Sequence, residues 1–356
     1  MRALTVSKHD LSETCVVDIE PPTLIDGTAR LRVDLFALTA NNLTYAAMGS
    51  GSAGYWDFFP GSEGWGRPPA WGFGTVIASR ADGVEEGARY FGFFPISETL
   101  DVIPGKAGVR GFIDGAAHRA GKAAVYNQYL DTLADPAYDA AFELQQALVR
   151  PLYASGWWTA DRVHQDRPAT VLISSASSKT AMAAAHQLRR QGGACLVALT
   201  SARHKAYVAG TGLYDQVHVY DDLTEIRAEA PAVYVDFLGR EDLTTAVHRL
   251  LGRSLQSSIL VGATDWAAKP GGLQPPRLAL PGPVPELLFV PDYASRRLQA
   301  QRDLGAALLG DLRDFYAQSR ALFLPQQQAG EAAITTAWAR LATGETAPHE
   351  GLVLSF

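Results

Sequence analysis

The sequence predicts an α/β protein in two parts, a β-rich first half and a second half built as a doubly wound parallel sheet. Three observations carry that expectation. Residues 1 to about 140 read as short apolar runs separated by Gly, Pro and Asp, the pattern of strands and turns. From Ala169 onward, runs of strand length alternate with helical stretches, which in a compact domain means parallel strands joined by helical crossovers. At the head of this second half, Val171–Ala181 (VLISSASSKTA) leads into Ala-rich Met182–Gln191. That reads as a buried strand, a tight turn of small residues and a helix start.

Taken in order, Ala29–Thr39 alternates and then becomes continuously apolar, as a strand entering a core does. Met48–Gly74 is rich in glycine and rings (Tyr55, Trp56, Phe58, Phe59, Trp65, Trp71), and both a core layer and the apolar wall of a pocket fit it. Trp71–Ala78 and Gly87–Pro95 read as strands. Phe142–Tyr153 reads as a helix that Ser155–Trp158 ends. Cys195 lies in the second strand of a βαβ unit, Ala194–Leu199, and Gln216–Tyr220, Ala232–Leu238 and Ser258–Gly262 are later strands. Pro270–Pro285 must be loop, Ala294–Tyr316 is a long helical pattern, and Gly351–Phe356 suits a closing edge strand. The expected domains are 1–140, 141–289 and a returning segment, 290–356.

Composition narrows the function classes. The chain has 356 residues, 47% hydrophobic and 19% charged, as expected of a globular protein. A net charge of -6 without any basic run argues against a nucleic-acid surface. There is no run of about 18 apolar residues and no signal-like start, so the expectation is a cytoplasmic protein with no membrane partner. Cys15 and Cys195 have no Cys-x-x-Cys partner, which disfavours a disulfide scaffold or structural zinc.

The turn Ser175, Ala176, Ser177, Ser178, Lys179 and Thr180 is where a pyrophosphate would sit, against the unpaired amides of a helix start. It lacks every glycine of the G-x-G-x-x-G fingerprint, and small Ala and Ser stand in its place. Two roles fit Lys179, a pyrophosphate contact and a solvated charge. Where an NAD enzyme carries an acidic residue after its second strand, this chain has Thr200, Ser201, Arg203 and Lys205. A hydroxyl and two cations favour the 2'-phosphate of NADP(H), the bland alternative being solvated charges on the next helix.

On Ser174–Ala181, Tyr126–Tyr129, Val235–Asp236 and Val261–Trp266, set within a β-rich half and a βαβ half, the chain resembles the medium-chain dehydrogenase/reductase superfamily. Within it, the chain is similar to a branch known only as a domain of unknown function. The resemblance implies a GroES-like catalytic domain and a Rossmann coenzyme domain. It further implies that Ser201, Arg203 and Lys205 meet the 2'-phosphate, that Tyr220 lies near the adenine, and that Phe237, Gly262 and Thr264 approach the nicotinamide or ribose. It implies a homodimer joined through the coenzyme-domain sheets. Zinc-dependent relatives place a Cys near the end of the strand entering Leu38–Tyr45, which here offers no Cys or His. The chain therefore resembles the zinc-free quinone oxidoreductases and enoyl reductases, which often carry an Asn and a Tyr in this segment, here Asn41 or Asn42 and Tyr45.

Hydride addition to the β carbon of an enone forms an enolate, so such a site needs a donor to the carbonyl oxygen and a proton source. Tyr45 and Asn41 or Asn42 are the first candidates, with Tyr126 and Asn127 the second; a buried tyrosine bonded to backbone and a structural corner are the alternatives. His118–Arg119 fits an anionic substrate or a helix cap. Three functions stay open at this point: an NADP(H)-dependent reductase of a small-molecule enone, quinone or ketone; a non-redox lyase or isomerase using the same donors; and a non-catalytic dinucleotide sensor.

Overall fold

The computed structural model describes residues 1–51, 53–262 and 280–356. They form two units, Met1–Pro151 with Leu309–Phe356, and Leu152–Leu308. The divisions fall inside helices, later in the chain than 140 and 289.

In the first unit the strands are β1 (Arg2–Ser7), β2 (Thr14–Asp18), β3 (Ala29–Leu38), β4 (Trp65–Gly66), β5 (Pro69–Ser79), β6 (Arg89–Pro95), β7 (Thr99–Val102), β8 (Pro104–Gly108), β9 (Gly111–Asp114) and β10 (Gln128–Asp131). Helix α1 (Ala40–Ala47) follows β3, and α2 (Glu143–Gln165) runs out of the unit. β1 joins β2 and β4 in a small sheet, while β3, β5, β6, β10, β9 and β8 follow one another antiparallel in a larger one. β3 shows why the strand forms: Leu31, Val33, Leu35 and Phe36 are buried while Arg32 is exposed.

The second unit holds β11 (Thr170–Ile173), α3 (Lys179–Gln191), β12 (Cys195–Thr200), α4 (Lys205–Gly210), β13 (Gln216–Val219), β14 (Ala232–Asp236), α5 (Glu241–Leu251), β15 (Leu255–Leu260), β16 (Glu286–Leu287) and α6 (Val290–Ala300). The sheet order is β13-β12-β11-β14-β15-β16, all parallel. That is the 3-2-1-4-5-6 order of a Rossmann sheet, with its switch point between β11 and β14. Helix α7 (Leu304–Ser319) leads back to the first unit, where β17 (Leu324–Ala329), α8 (Glu331–Ala342) and β18 (Glu350–Ser355) complete the larger sheet.

Three expectations are corrected. α2 does not end at Ser155–Trp158. Gly156 lies where a Cβ would come within 2.6 Å of the Ala184 amide nitrogen of α3, so the glycine serves close helix packing and not termination. The pattern Ala294–Tyr316 is two helices, α6 and α7, because the α6 cap at Gln301 is extended. β18 is internal, between parallel β17 and antiparallel β3, and its Leu352, Val353 and Leu354 are buried accordingly. Of the proposed loop Pro270–Pro285, residues 270–279 lie outside the described residues, and 280–285 are neither helix nor strand. Among the described residues no helix is long and apolar enough to cross a membrane.

Gly→Ala on an open helix face stabilises by roughly 1 kcal/mol. Gly156→Ala should instead destabilise by about 1–3 kcal/mol through overpacking, read from the urea midpoint; an unchanged or higher midpoint would contradict the close packing.

Candidate active site

At the switch point of the second unit two polar side chains meet. Ser174, directly after β11, donates its hydroxyl to Asp236 Oδ1 at 2.6 Å, from the last residue of β14. The same serine oxygen accepts the Phe237 and Leu238 amides at 2.9 and 3.1 Å. Asp236 Oδ1 also accepts the Leu238 and Gly239 amides, both at 2.9 Å, and Oδ2 accepts the Thr244 hydroxyl at 3.0 Å. The carboxylate is 4% exposed and is satisfied by hydroxyls and amides. This bridge fastens the turn after β14, including buried Phe237, to the end of β11. The sequence reading found Ser174 and Asp236 as motifs but not their contact, since 62 residues separate them.

The phosphate-loop candidates follow at once. Ser175 takes a φ of 48°, the left-handed region that a glycine would normally occupy. The Tyr220 hydroxyl lies against both its backbone and its side chain; burial pushes that hydroxyl up to about 12 and the Ser175 contacts oppose the rise. Ala176 is buried, donates its amide to Leu199 O at 3.1 Å and accepts the Tyr214 hydroxyl at 2.9 Å. Ser177 Oγ is 3.1 Å from His204 Nδ1, and Ser178 caps α3 by accepting the Ala181 amide. Lys179 and Thr180 form the first turn of α3.

Thr200 and Ser201, at the end of β12, have buried hydroxyl oxygens with no hydrogen-bond partner. Arg203 and Lys205 are exposed just beyond them. Buried polar groups are ordinarily paired, and these two hydroxyls are exceptions a few residues from two cations in the chain. The ring of half-buried Tyr220 faces Arg240, whose guanidinium carbon is 5.5 Å from its centroid. Gly262 donates its amide to Asp236 O at 3.4 Å, and Thr264 lies outside the described residues.

In the first unit, Thr39 caps α1: Asn41 N donates to Thr39 Oγ1 at 3.3 Å and Asn42 Oδ1 accepts the Thr39 amide at 2.7 Å. Asn42 Nδ2 donates to Pro69 O at 2.8 Å, so this buried amide is occupied with holding α1 to β5. Asn41 is half-buried, one turn before Tyr45, and bonds its hydroxyl. The Trp71 indole also donates to the Tyr45 hydroxyl, at 3.2 Å. Tyr55 and Tyr126 share a hydroxyl hydrogen bond of 2.9 Å, and the Tyr45 ring stands 4.7 Å from Tyr55 and 6.4 Å from Tyr126. Phe58 and Phe93 close the box against Tyr126 at 5.4 and 5.0 Å. Burial pushes all three tyrosine hydroxyls above their ordinary value, with Tyr55 raising Tyr45 and Tyr126 further and hydrogen-bond donors opposing at Tyr45. They are neutral donors at pH 7. Tyr55 and Trp71, met in sequence only as rings, join the cluster.

Asn127 donates to Arg119 O at 3.1 Å and its carbonyl accepts the Asp114 amide at 2.8 Å, leaving a buried Oδ1 without a partner. Arg119 neither caps a helix nor reaches solvent. It is 1% exposed, paired with Asp114, and donates to the Tyr129 hydroxyl at 3.1 Å and the Tyr126 carbonyl at 3.2 Å. Its guanidinium lies under Phe58 and Phe59 at 5.4 and 5.0 Å. His118 contacts Phe58 O at 3.2 Å. Among the described residues no three His, Cys, Asp or Glu side chains are grouped to hold a metal ion.

These two units have the fold of the medium-chain dehydrogenase/reductase superfamily. CurA from Vibrio vulnificus in complex with NADPH matches with 12% identity, over 99% of this chain and 98% of that one, at a TM-score of 0.61. The yhdH oxidoreductase from Salmonella enterica in complex with NADP matches with 15% identity over 100% of both chains at 0.55. The quinone oxidoreductase from Coxiella burnetii matches with 15% identity over 99% and 98% at 0.54. At such identities the likeness is one of fold. No curated protein matches the sequence. The chain belongs to the family described as protein of unknown function (DUF2855), whose model matches residues 36–347.

Removing one member of a buried ion pair costs about 3–5 kcal/mol. Arg119→Met should lower stability by that amount in denaturant unfolding, and adding Asp114→Asn should recover part of it. A double variant no more stable than Arg119→Met would mean that the pair itself is not what stabilises the box.

Proposed function

We propose that this chain is an NADP(H)-dependent, zinc-independent reductase that adds hydride to an activated C=C bond of enone, enoyl or quinone type, or to a related carbonyl. The observation that carries the reading is the hydroxyl cluster of Tyr45, Tyr55 and Tyr126 in an aromatic box, at the segment where zinc-dependent relatives carry a cysteine. The orphaned Thr200 and Ser201 hydroxyls beside Arg203 and Lys205 support NADP(H) over NAD(H). Ser177, Ser178, Lys179 and Thr180 at the start of α3 are the pyrophosphate contacts of this reading. A homodimer joined along the β16 side of the sheet, where Leu287 is exposed, belongs to the same proposal.

When bound, the coenzyme supplies a hydride to the β carbon, and the electron pair of the C=C bond moves toward the carbonyl oxygen. The chain's own residues handle that charge and one proton. Trp71 and Asn41 engage the Tyr45 oxygen, which leaves the Tyr45 proton to be donated outward, to the developing enolate oxygen. One hydroxyl of the Tyr55–Tyr126 pair donates to the other, so the pair also keeps one proton to give. Half-buried Tyr126 is the member through which a proton is replaced from solvent. The α carbon receives the proton, completing addition of two hydrogens across the bond.

The coenzyme assignment is tested by titrating the purified protein with NADPH and NADH. Arg203→Ala should weaken NADPH by about 10-fold or more, with NADH unchanged. Equal loss of both, or no binding of either to the wild type, would overturn it.

The proton-donor assignment is tested by NADPH oxidation with enones and quinones. Tyr45→Phe should lower kcat by about 100-fold with coenzyme affinity kept. Because folding raises the Tyr45 pKa, the hydroxyl stays protonated as pH rises through the ordinary tyrosine value near 10, and activity should hold across that value. Loss of activity well below it would count against Tyr45.

A further inference from the structure

Elsewhere in the first unit, buried or half-buried arginines have anionic partners. Arg119 pairs with Asp114, Arg150 with Asp135, Arg30 with Asp101, and Arg89 with Asp34 and Glu143. Arg67 is different. It is half-buried, its Nε is shielded from water without a hydrogen-bond partner, and it makes no ion pair among the described residues. Burial, unopposed by any carboxylate, pulls its guanidinium down to about 10.

Its neighbours fix where it stands. Arg67 lies in the connection between β4 and β5. Just before it, Gly66 is pressed against the Trp56 indole, where a Cβ would meet ring carbon at 2.3 Å. Just after it, Pro69 gives its carbonyl to Asn42 of α1, and Trp71 on β5 donates to Tyr45 of the same helix. The segment carrying Arg67 is thus fastened to the helix that presents Asn41 and Tyr45. A structural arginine in this setting would have found an acceptor. A part-desolvated guanidinium without one is a planar fork prepared for an oxyanion, which would relieve the unpaired charge.

We infer that Arg67 binds an oxyanion carried by the substrate, specifically a carboxylate, so that the substrates are acidic enones or enoyl acids. This rests on the reductase reading above. The test uses the full-length protein with 4-oxopent-2-enoate and its methyl ester, following both the melting temperature and NADPH oxidation. The wild type should bind the acid about tenfold or more tighter than the ester. Arg67→Gln should abolish that preference without weakening the ester or NADPH, and should melt no lower than the wild type when unliganded. Arg67→Lys should keep part of the preference.

Equal binding of acid and ester by the wild type would overturn the inference, as would loss of both together in Arg67→Gln. Inorganic phosphate that stabilises the wild type but not Arg67→Gln, with the acid inert, would overturn the carboxylate assignment in favour of a phosphate ester. Arg67-dependent binding of the acid without NADPH oxidation would support Arg67 and remove the reductase reading. Oxidation of NADPH with both compounds, indifferent to Arg67→Gln, would do the reverse.

Discussion

The first unit depends on the buried pair of Arg119 and Asp114. Two charges out of water need further partners besides each other, and here every donor and acceptor of the pair except Arg119 Nε has one. Asp114 accepts the Ile103 and Ala116 amides, while Arg119 reaches the Tyr129 hydroxyl and the Tyr126 carbonyl. Those partners come from the residue between β7 and β8, the connection between β9 and β10, and β10 itself, so satisfying one ion pair ties these segments together. The consequence for the site is direct. The backbone of Tyr126 is held by Arg119 while its hydroxyl meets Tyr55, and Phe58 and Phe59 are laid on the guanidinium face. The position of the aromatic box is therefore set from beneath by electrostatics.

The second unit solves a comparable problem with neutral donors. A Rossmann loop ordinarily uses glycine for its sharp turn and close approach. Here Ser175 adopts the left-handed conformation, and the geometry is enforced around it: Ala176 is tied to Leu199 and Tyr214, and Ser174 is bridged to Asp236. A non-glycine residue with positive φ persists only where its surroundings over-determine it. Side-chain hydrogen bonds have taken over what the missing glycines do by lacking a side chain.

What the sequence made legible follows from this. Strand and helix alternation, and with it a parallel sheet, and the small-residue turn leading into α3 were readable because each depends on local periodicity and small-residue composition. Gly156 was misread because a glycine in a helical pattern signals termination locally, and only α3 packed against it reveals the other use. The edge assignment of β18 failed for the same reason, since nothing in its own residues shows that β17 pairs beyond it. In the site, Tyr45 and Tyr126 were found as polar aromatics, yet the roles of Asn42 and Asn127 as fasteners appear only with Pro69 and Arg119 beside them. Side-chain chemistry was visible in sequence; the competition for its hydrogen bonds was not.

That competition also separates the groups left available from those already used. Each polar atom of the box has a bounded capacity. Asn42 is committed to a cap and a carbonyl, and the two terminal nitrogens of Arg119 to a carboxylate, a hydroxyl and a carbonyl. Tyr45 accepts from Trp71 and Asn41 but keeps a proton, and Arg67 keeps its donors. A fold that gives a fully buried arginine a carboxylate partner does not lack the means to give a half-buried one the same. The proton of Tyr45 lies on α1 and the donors of Arg67 on the segment fastened to it, a placement expected where the partner of those donors is a molecule that comes and goes.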